Sequence, residues 1–188
     1  MLSSERKIET DLAAIRRARE ELLGDIRRDG GGEIDLWRGT SDGKWSIGEH
    51  LLHLYKMMRF FRLWIRAFGV VQRPVAKLLA QRPYAVGTPD LFARARAEGR
   101  PLKAPFVIAP TWPRGKPRPT LEELERMLES ERSALERMAS STDDRILGHT
   151  YLWDPVMGML NAIQVVELLA HHERHHHSFI RDRNLRKP

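Results

Sequence analysis

The chain has 188 residues, of which 41% are hydrophobic and 30% charged. This length and composition predict a single folded domain over residues 1–188 and exclude a disordered chain. The sequence has no cysteine, so disulfides, cysteine nucleophiles, cysteine-ligated zinc and iron–sulfur clusters are excluded. It has neither an apolar stretch long enough to span a membrane nor the apolar core of a signal peptide. We therefore expect a cytoplasmic protein with no membrane partner.

The net charge is +7, from 32 Lys and Arg against 25 Asp and Glu. The cations are spread along the chain, and none of their runs has the pattern of a recognition helix. We expect a solvated basic surface that favours anionic substrates and cosubstrates. Nucleic-acid binding is disfavoured but left open as a third hypothesis, and it would show a steep dependence on salt.

Two long amphipathic helices are predicted in the first part of the chain. Residues 4–28 carry apolar side chains at helical spacing, Ser4 is a candidate cap, and the glycines at 30–32 end the helix. After a loop over 33–44, Ser46 and Glu49 have the spacing of a capping box, which predicts a second helix to about Phe68.

Residues 69–119 contain nine of the eleven prolines, which disfavours a long regular element there. Short helical pieces are predicted near 72–81 and 89–98. The apolar, proline-rich stretch 101–119 is predicted to be an extended crossover that packs across the outside of a bundle or covers a pocket.

A third helix is predicted from Leu121 to about Ala139, with Thr120 and Glu123 as its capping box. Glu131 interrupts its apolar seam, and we expect this carboxylate to reach out to solvent or to lie at the edge of a groove. A fourth helix is predicted from near Leu160 to about Arg183. Because no segment alternates in the manner of a strand, the fold class is all-α: a four-helix bundle with a long crossover between helices two and three.

Seven of the eight histidines lie on two of these helices. The last helix offers two pairs at i and i+4 that could share a metal ion, His171 with His175 and His172 with His176. The second pair continues an apolar stripe that faces the core, so it is the better inward pair. We expect Glu173 and His177 to lie further round, exposed to solvent.

His53, two turns into the second helix, is the best candidate for a third ligand. Three neutral imidazoles leave positions open for water or substrate, as in a catalytic site. His50, Glu49 and Glu131 are candidates for contacting the ligands or the substrate, although Glu49 is better explained as a cap. The run from His172 to His176 literally reads H-E-x-x-H, but a protease is disfavoured because Glu173 lies off the ligand stripe and no matching sheet precedes it.

Two segments resemble a known family. Residues 45–54, WSIGEHLLHL, are similar to the second-helix motif of the DinB/YfiT-like superfamily, and 154–161, DPVMGMLN, with 172–176, HERHH, are similar to its last-helix motif. The resemblance covers most of residues 33–183. It implies a four-helix bundle whose metal is held by one His of helix two and two of the last helix, which by position are His53, His172 and His176.

The same resemblance implies a dimer and two kinds of activity, a metal-dependent hydrolase or a transferase that uses a low-molecular-weight thiol. Members often carry Gln three residues after the last histidine ligand, whereas this chain has Phe179. We expect a zinc or nickel ion that activates water or a thiol cosubstrate towards a small-molecule substrate. The alternative is a non-catalytic metal- or ligand-binding bundle. The seam of helix one or the apolar part of the crossover could form the dimer interface.

Overall fold

The computed structural model describes residues 4–29, 35–39, 44–98, 108–154 and 156–182. It is mostly helical, which confirms the all-α class. Four long helices, two short ones and a two-stranded hairpin make up this part of the chain. In chain order they are α1 (Ser4–Asp29), α2 (Ile47–Leu79), α3 (Leu91–Ala97), α4 (Leu121–Ser140), α5 (Asp144–Leu147), β1 (Tyr151–Asp154), β2 (Gly158–Asn161) and α6 (Ala162–Ile180).

Both predicted capping boxes are present. The Ser46 hydroxyl accepts a hydrogen bond from the backbone N–H of Glu49. In return, the Glu49 carboxylate accepts one from the backbone N–H of Ser46. Thr120 and Glu123 form the same pair at the start of α4. Each box satisfies two backbone donors that the first turn of a helix leaves unpaired. The side chain of Ser4 and the predicted helix end at Arg183 lie outside the described residues.

The long helices pack in pairs around a shared core. Helix α1 lies mainly against α6, and α2 lies against α4 and α6. The seam of α1, with Leu12, Ile15 and Leu22, is buried within this core, so it is not free to form an interface between copies. In the part of the chain that the structure describes, no helix is long and apolar enough to cross a membrane.

Helix α2 is longer than predicted, because it runs beyond Phe68 to Leu79 and includes the separate piece predicted near 72–81. Pro74 lies inside it and removes one backbone hydrogen bond. The helix continues because its last turns are held on both sides of this proline. Gln72 exchanges two hydrogen bonds with the backbone of Tyr151, and Ala76 is fully buried.

The prediction that the chain has no strand is wrong. Strands β1 and β2 pair antiparallel, with Leu152 opposite Leu160 and Trp153 opposite Met159. The two leucines are buried and the other two residues are exposed, but four-residue strands give too short an alternation to detect. Because Leu160 belongs to this hairpin, α6 begins at Ala162, two residues after the predicted start near Leu160. Helix α3 confirms the piece predicted near 89–98.

Residues 101–107 of the predicted crossover lie outside the described part of the chain. Residues 108–119 are irregular and packed onto α2. Lys56 of α2 donates hydrogen bonds to the carbonyls of Ala109 and Thr111, at 2.8 and 2.6 Å. These bonds hold the second half of the segment against the helix that carries His50 and His53.

Candidate metal centre

Three imidazoles from two helices meet in the interior of the bundle. His53 comes from the second turn of α2, and His172 and His176 come from α6, one turn apart. Their side chains are buried, with exposed fractions of 2%, 4% and 7%. His172 Nε2 lies 3.1 Å from His53 Nε2 and 3.0 Å from His176 Nε2. The structure therefore brings together the three histidines that the sequence singled out.

The geometry of these three nitrogens fits a divalent cation. Ligand nitrogens about 2.0–2.1 Å from a tetrahedral zinc ion lie about 3.3 Å from one another. The two short Nε2 separations are close to that edge length, and one ligand atom from each imidazole can be chosen within 4.8 Å of the others. Among the described residues this is the one group of three or more His, Asp or Glu with such a spacing.

A backbone carbonyl sets the proton position on His53. Its Nδ1 lies 2.6 Å from the carbonyl oxygen of Ile108, an acceptor, so Nδ1 carries the proton and donates it. In the neutral ring Nε2 then presents a lone pair towards His172. Metal-ligating histidines are commonly oriented by such a bond at the other nitrogen. The crossover residue Ile108 thus prepares His53 to act as a ligand.

The three rings are neutral near pH 7. Burial lowers the pKa of His53 to about 4, although the hydrogen bond to Ile108 acts in the opposite direction. Burial, reinforced by the neighbouring imidazoles, holds the pKa of His172 and His176 well below the usual range. Since only a neutral imidazole has a lone pair for a metal, the ligand set is in its binding form at physiological pH.

Aromatic side chains surround the group. The Trp45 ring lies parallel to that of His176, with centroids 5.9 Å apart, and 4.8 Å from that of His53. Phe92 of α3 lies 4.9 Å from the His172 ring. These walls limit water near the imidazoles and are a cause of the low pKa values.

Of the three further candidates from the sequence, His50 contacts one of these three histidines. Its Nδ1 lies 2.7 Å from His176 Nδ1, and its ring stacks on Phe179 at 6.2 Å. Whichever ring carries the shared proton, this bond restricts the orientation of His176. Phe179, three residues after His176, thus packs against the site as an apolar wall.

The two glutamates are engaged elsewhere. Glu49 forms the capping box of α2, as expected. Glu131 is buried and forms an ion pair with Arg62, at 3.2 Å between Oε1 and Nη2, and a longer one with Arg59. Glu131 is therefore a buried charge that is paired between α4 and α2. The sequence had instead suggested a carboxylate at a groove edge or reaching out to solvent. Its burial fits the pairing, because a lone carboxylate there would lose its hydration.

The prediction that Glu173 and His177 are exposed is wrong, since their exposed fractions are 1% and 3%. Glu173 accepts two hydrogen bonds from Arg19 of α1, at 2.8 and 3.0 Å, and lies 3.1 Å from His177 Nε2. Burial alone would raise the pKa of Glu173, but Arg19 and His177 outweigh it and lower the pKa to about 2. This carboxylate is thus ionised and occupied, which argues against a general base of the H-E-x-x-H type.

Sequence reasoning missed this buried ion pair, but a signal for it exists. Arg19 stands four residues after Ile15 and three before Leu22, in the apolar seam of α1. A charge at such a position needs an opposite charge on the facing helix, because burying it alone is costly. The facing helix is α6, and Glu173 is a buried carboxylate on it.

The fold and site together define a class: a helical protein with a buried three-histidine group that fits a divalent metal. The family model described as the DinB superfamily matches residues 9–180, and the chain belongs to that superfamily. No curated protein and no solved structure matches the chain.

Replacing His50 with leucine is expected to lower the affinity for zinc about 10- to 100-fold, because His176 loses the partner that orients it. The measurement is competition with a chromophoric chelator. His149→Leu is the matched control: His149 is also buried, but it bonds the Arg82 carbonyl and is absent from the three-histidine group. Equal affinities for the wild type and His50→Leu would show that the contact has no role in binding.

The metal-free protein is expected to lose stability as the pH falls below about 6.5. The unfolded chain protonates its histidines near pH 6.5, whereas His53 in the fold stays neutral to about pH 4. The unfolded state therefore binds more protons. His53 alone should lower the free energy of unfolding by about 2 kcal/mol between pH 7 and 5. Urea titrations in chelator measure this. His53→Gln should flatten the dependence, and a free energy of unfolding independent of pH over this range would contradict the buried neutral imidazoles.

Proposed function

We propose that this protein is a metal-dependent enzyme that uses His53, His172 and His176 to hold one divalent metal ion, zinc or nickel. The reaction is either hydrolysis or transfer of a low-molecular-weight thiol to a small electrophilic substrate. The observation that carries the proposal is the convergence of three buried, neutral Nε2 atoms, one of them aimed by the Ile108 carbonyl. Three protein ligands leave coordination positions for a reacting group.

When bound, the metal would supply Lewis acidity that converts water or a thiol into a nucleophile at neutral pH. The residues of the chain bind and orient. Ile108 and His50 hold the rings of His53 and His176, and Trp45 and Phe92 exclude water. Since the chain has no cysteine, a thiol must come from a cosubstrate.

The second candidate is a metal- or ligand-binding bundle without catalysis. It is favoured by the lack of any Asp or Glu in the three-histidine group among the described residues. Two acidic candidates are already engaged, because Glu49 caps α2 and Glu173 is paired with Arg19. In a catalytic mechanism, the substrate, the cosubstrate or His50 would then have to donate and accept the protons.

The test is a screen of zinc- and nickel-loaded protein with a thiol and an electrophile, alongside ester and amide substrates. Turnover that is lost with chelator and in His53→Ala, and kept in His175→Ala, supports the enzyme. Metal bound at one ion per chain without turnover of any substrate class supports the binding protein.

We also propose a homodimer through the C-terminal half of α2. Val70, Val71 and Leu78 of that half are exposed by 73%, 75% and 83%. Exposed apolar side chains in such a cluster are typical of protein interfaces. Light scattering should give twice the chain mass, and Val71→Lys should reduce it to the mass of one chain; a monomeric wild type contradicts the proposal.

A further inference from the structure

A cavity built around tryptophan and cationic side chains lies between the second half of the crossover and the start of α2. Its volume is about 410 Å³, within the range of small-molecule sites. Trp37 and Trp112 line it together with Arg114, Lys116 and Arg118. None of the three ligand histidines lines it, so it is distinct from the metal centre.

Hydrogen bonds and close packing hold the walls of this cavity in place. The indole nitrogens of Trp37 and Trp112 donate to the carbonyls of Pro119 and Pro117, both at 3.0 Å. Behind Trp37 is Gly48 of α2, where a Cβ atom would lie 2.7 Å from the indole ring, so the ring packs directly on the helix. The cavity is therefore formed before any ligand arrives, which lowers the entropic cost of binding.

A tight turn presents two of the cations. The Lys116 backbone donates to the Pro113 carbonyl at 3.3 Å, and Gly115 has a φ of 78°. This is the conformation of a type II turn, which favours glycine at the third position. Arg114 and Lys116 flank that glycine and are exposed on the cavity wall. The turn thus fixes the backbone that carries both charges.

The electrostatics of the cavity favour an anion. Arg118 lies 5.2 Å from the centre of the Trp37 ring, and no carboxylate forms an ion pair with Arg114, Lys116 or Arg118 among the described residues. Among the described residues of the lining one is acidic, Glu49, and its carboxylate accepts a hydrogen bond from the Ser46 backbone. Three cations against this one engaged carboxylate leave the site with a net positive charge, which attracts an anionic group more strongly than scattered surface charges do.

We propose that this cavity binds a small organic anion. Its phosphate or carboxylate group contacts Arg114, Lys116 and Arg118, and its apolar part lies against Trp112 and Pro110. The proposal is independent of the metal centre and of the reaction proposed for it.

The test uses phenyl phosphate as the probe and calorimetry on the full chain at low salt. We expect saturable binding of phenyl phosphate, weaker binding of inorganic phosphate, and none of benzyl alcohol, because both the charge and the ring contribute. Benzoate is measured in the same way, and its dissociation constant compares a carboxylate with a phosphate on the same ring. In Arg114→Gln/Lys116→Gln the dissociation constant for phenyl phosphate should rise at least tenfold. Both side chains are exposed and neither forms an ion pair with a described residue, so this variant should fold normally.

Two controls make the result decisive. Arg66→Gln/Arg73→Gln removes the same net charge from exposed positions of α2 outside the cavity and should leave the affinity unchanged. Metal-free protein in chelator should bind the probe as tightly as zinc-loaded protein. Equal weakening in both double variants would mean that only the overall charge attracts the probe. Binding that requires zinc would place the anion at the metal centre. Either result, or no binding to the wild type, overturns the proposal.

Discussion

Replacing His53 with alanine is expected to reduce the bound metal from about one ion per chain to almost none. In the proposed site His53 is the ligand from α2, and its loss leaves two imidazoles on one helix, which cannot close a site from opposite sides. A two-histidine remnant also loses the ring whose proton position is set by Ile108. The measurement is plasma mass spectrometry on untagged protein purified without chelating resin, followed by reconstitution with zinc and nickel.

His175→Ala is the matched control for this variant. His175 belongs to the same histidine-rich run and is half-buried, but its ring lies against Phe92 and Phe179 and is absent from the three-histidine group. It should keep the full complement of metal. Metal retained in His53→Ala but lost in His175→Ala would move the site to the outer pair, His171 and His175.

Replacing Glu173 with alanine is expected to lower the free energy of unfolding by about 3–5 kcal/mol, because it leaves the Arg19 guanidinium buried without its charge partner. Arg19 is exposed by 3%, and its two bonds to Glu173 join α1 to α6 across the core. Removing one partner of a buried ion pair lowers the free energy of unfolding far more than removing one partner of an exposed pair. Urea denaturation of the metal-free protein measures the change and separates it from any effect on metal binding.

The control is the exposed pair of Arg16 and Glu20 on the same helix, whose charged atoms lie 3.9 Å apart. Arg16→Ala should change stability by less than about 1 kcal/mol. A double variant, Arg19→Leu with Glu173→Leu, should recover much of the stability that Glu173→Ala loses, since neither charge then remains buried. A loss in the double variant as large as the sum of the two single losses would show that the pair is not coupled.

The features that the sequence predicted well depend on local patterns. Ser46 with Glu49 and Thr120 with Glu123 mark their helix starts because capping is decided within one turn. The inward direction of His172 and His176 follows from the apolar stripe that contains Val165 and Leu169, since helical periodicity places these positions on one face.

The features that the sequence did not predict depend on contacts between distant segments. The prolines of residues 69–119 suggested that the second helix ends near Phe68, but the bonds from Gln72 to the hairpin hold the further part of α2. Glu173 looked like a surface residue because its partner, Arg19, is far away in the chain. The cavity beside Trp112 forms only when the crossover folds back onto α2, which no local pattern encodes.

The most direct test of the central claim is an anomalous-scattering map from crystals of the protein loaded with zinc. We predict one strong peak per chain, about 2.0–2.1 Å from the Nε2 atoms of His53, His172 and His176, with further density at an open coordination position. A peak at the outer histidines of α6, or none within the bundle at full zinc loading, would contradict the account.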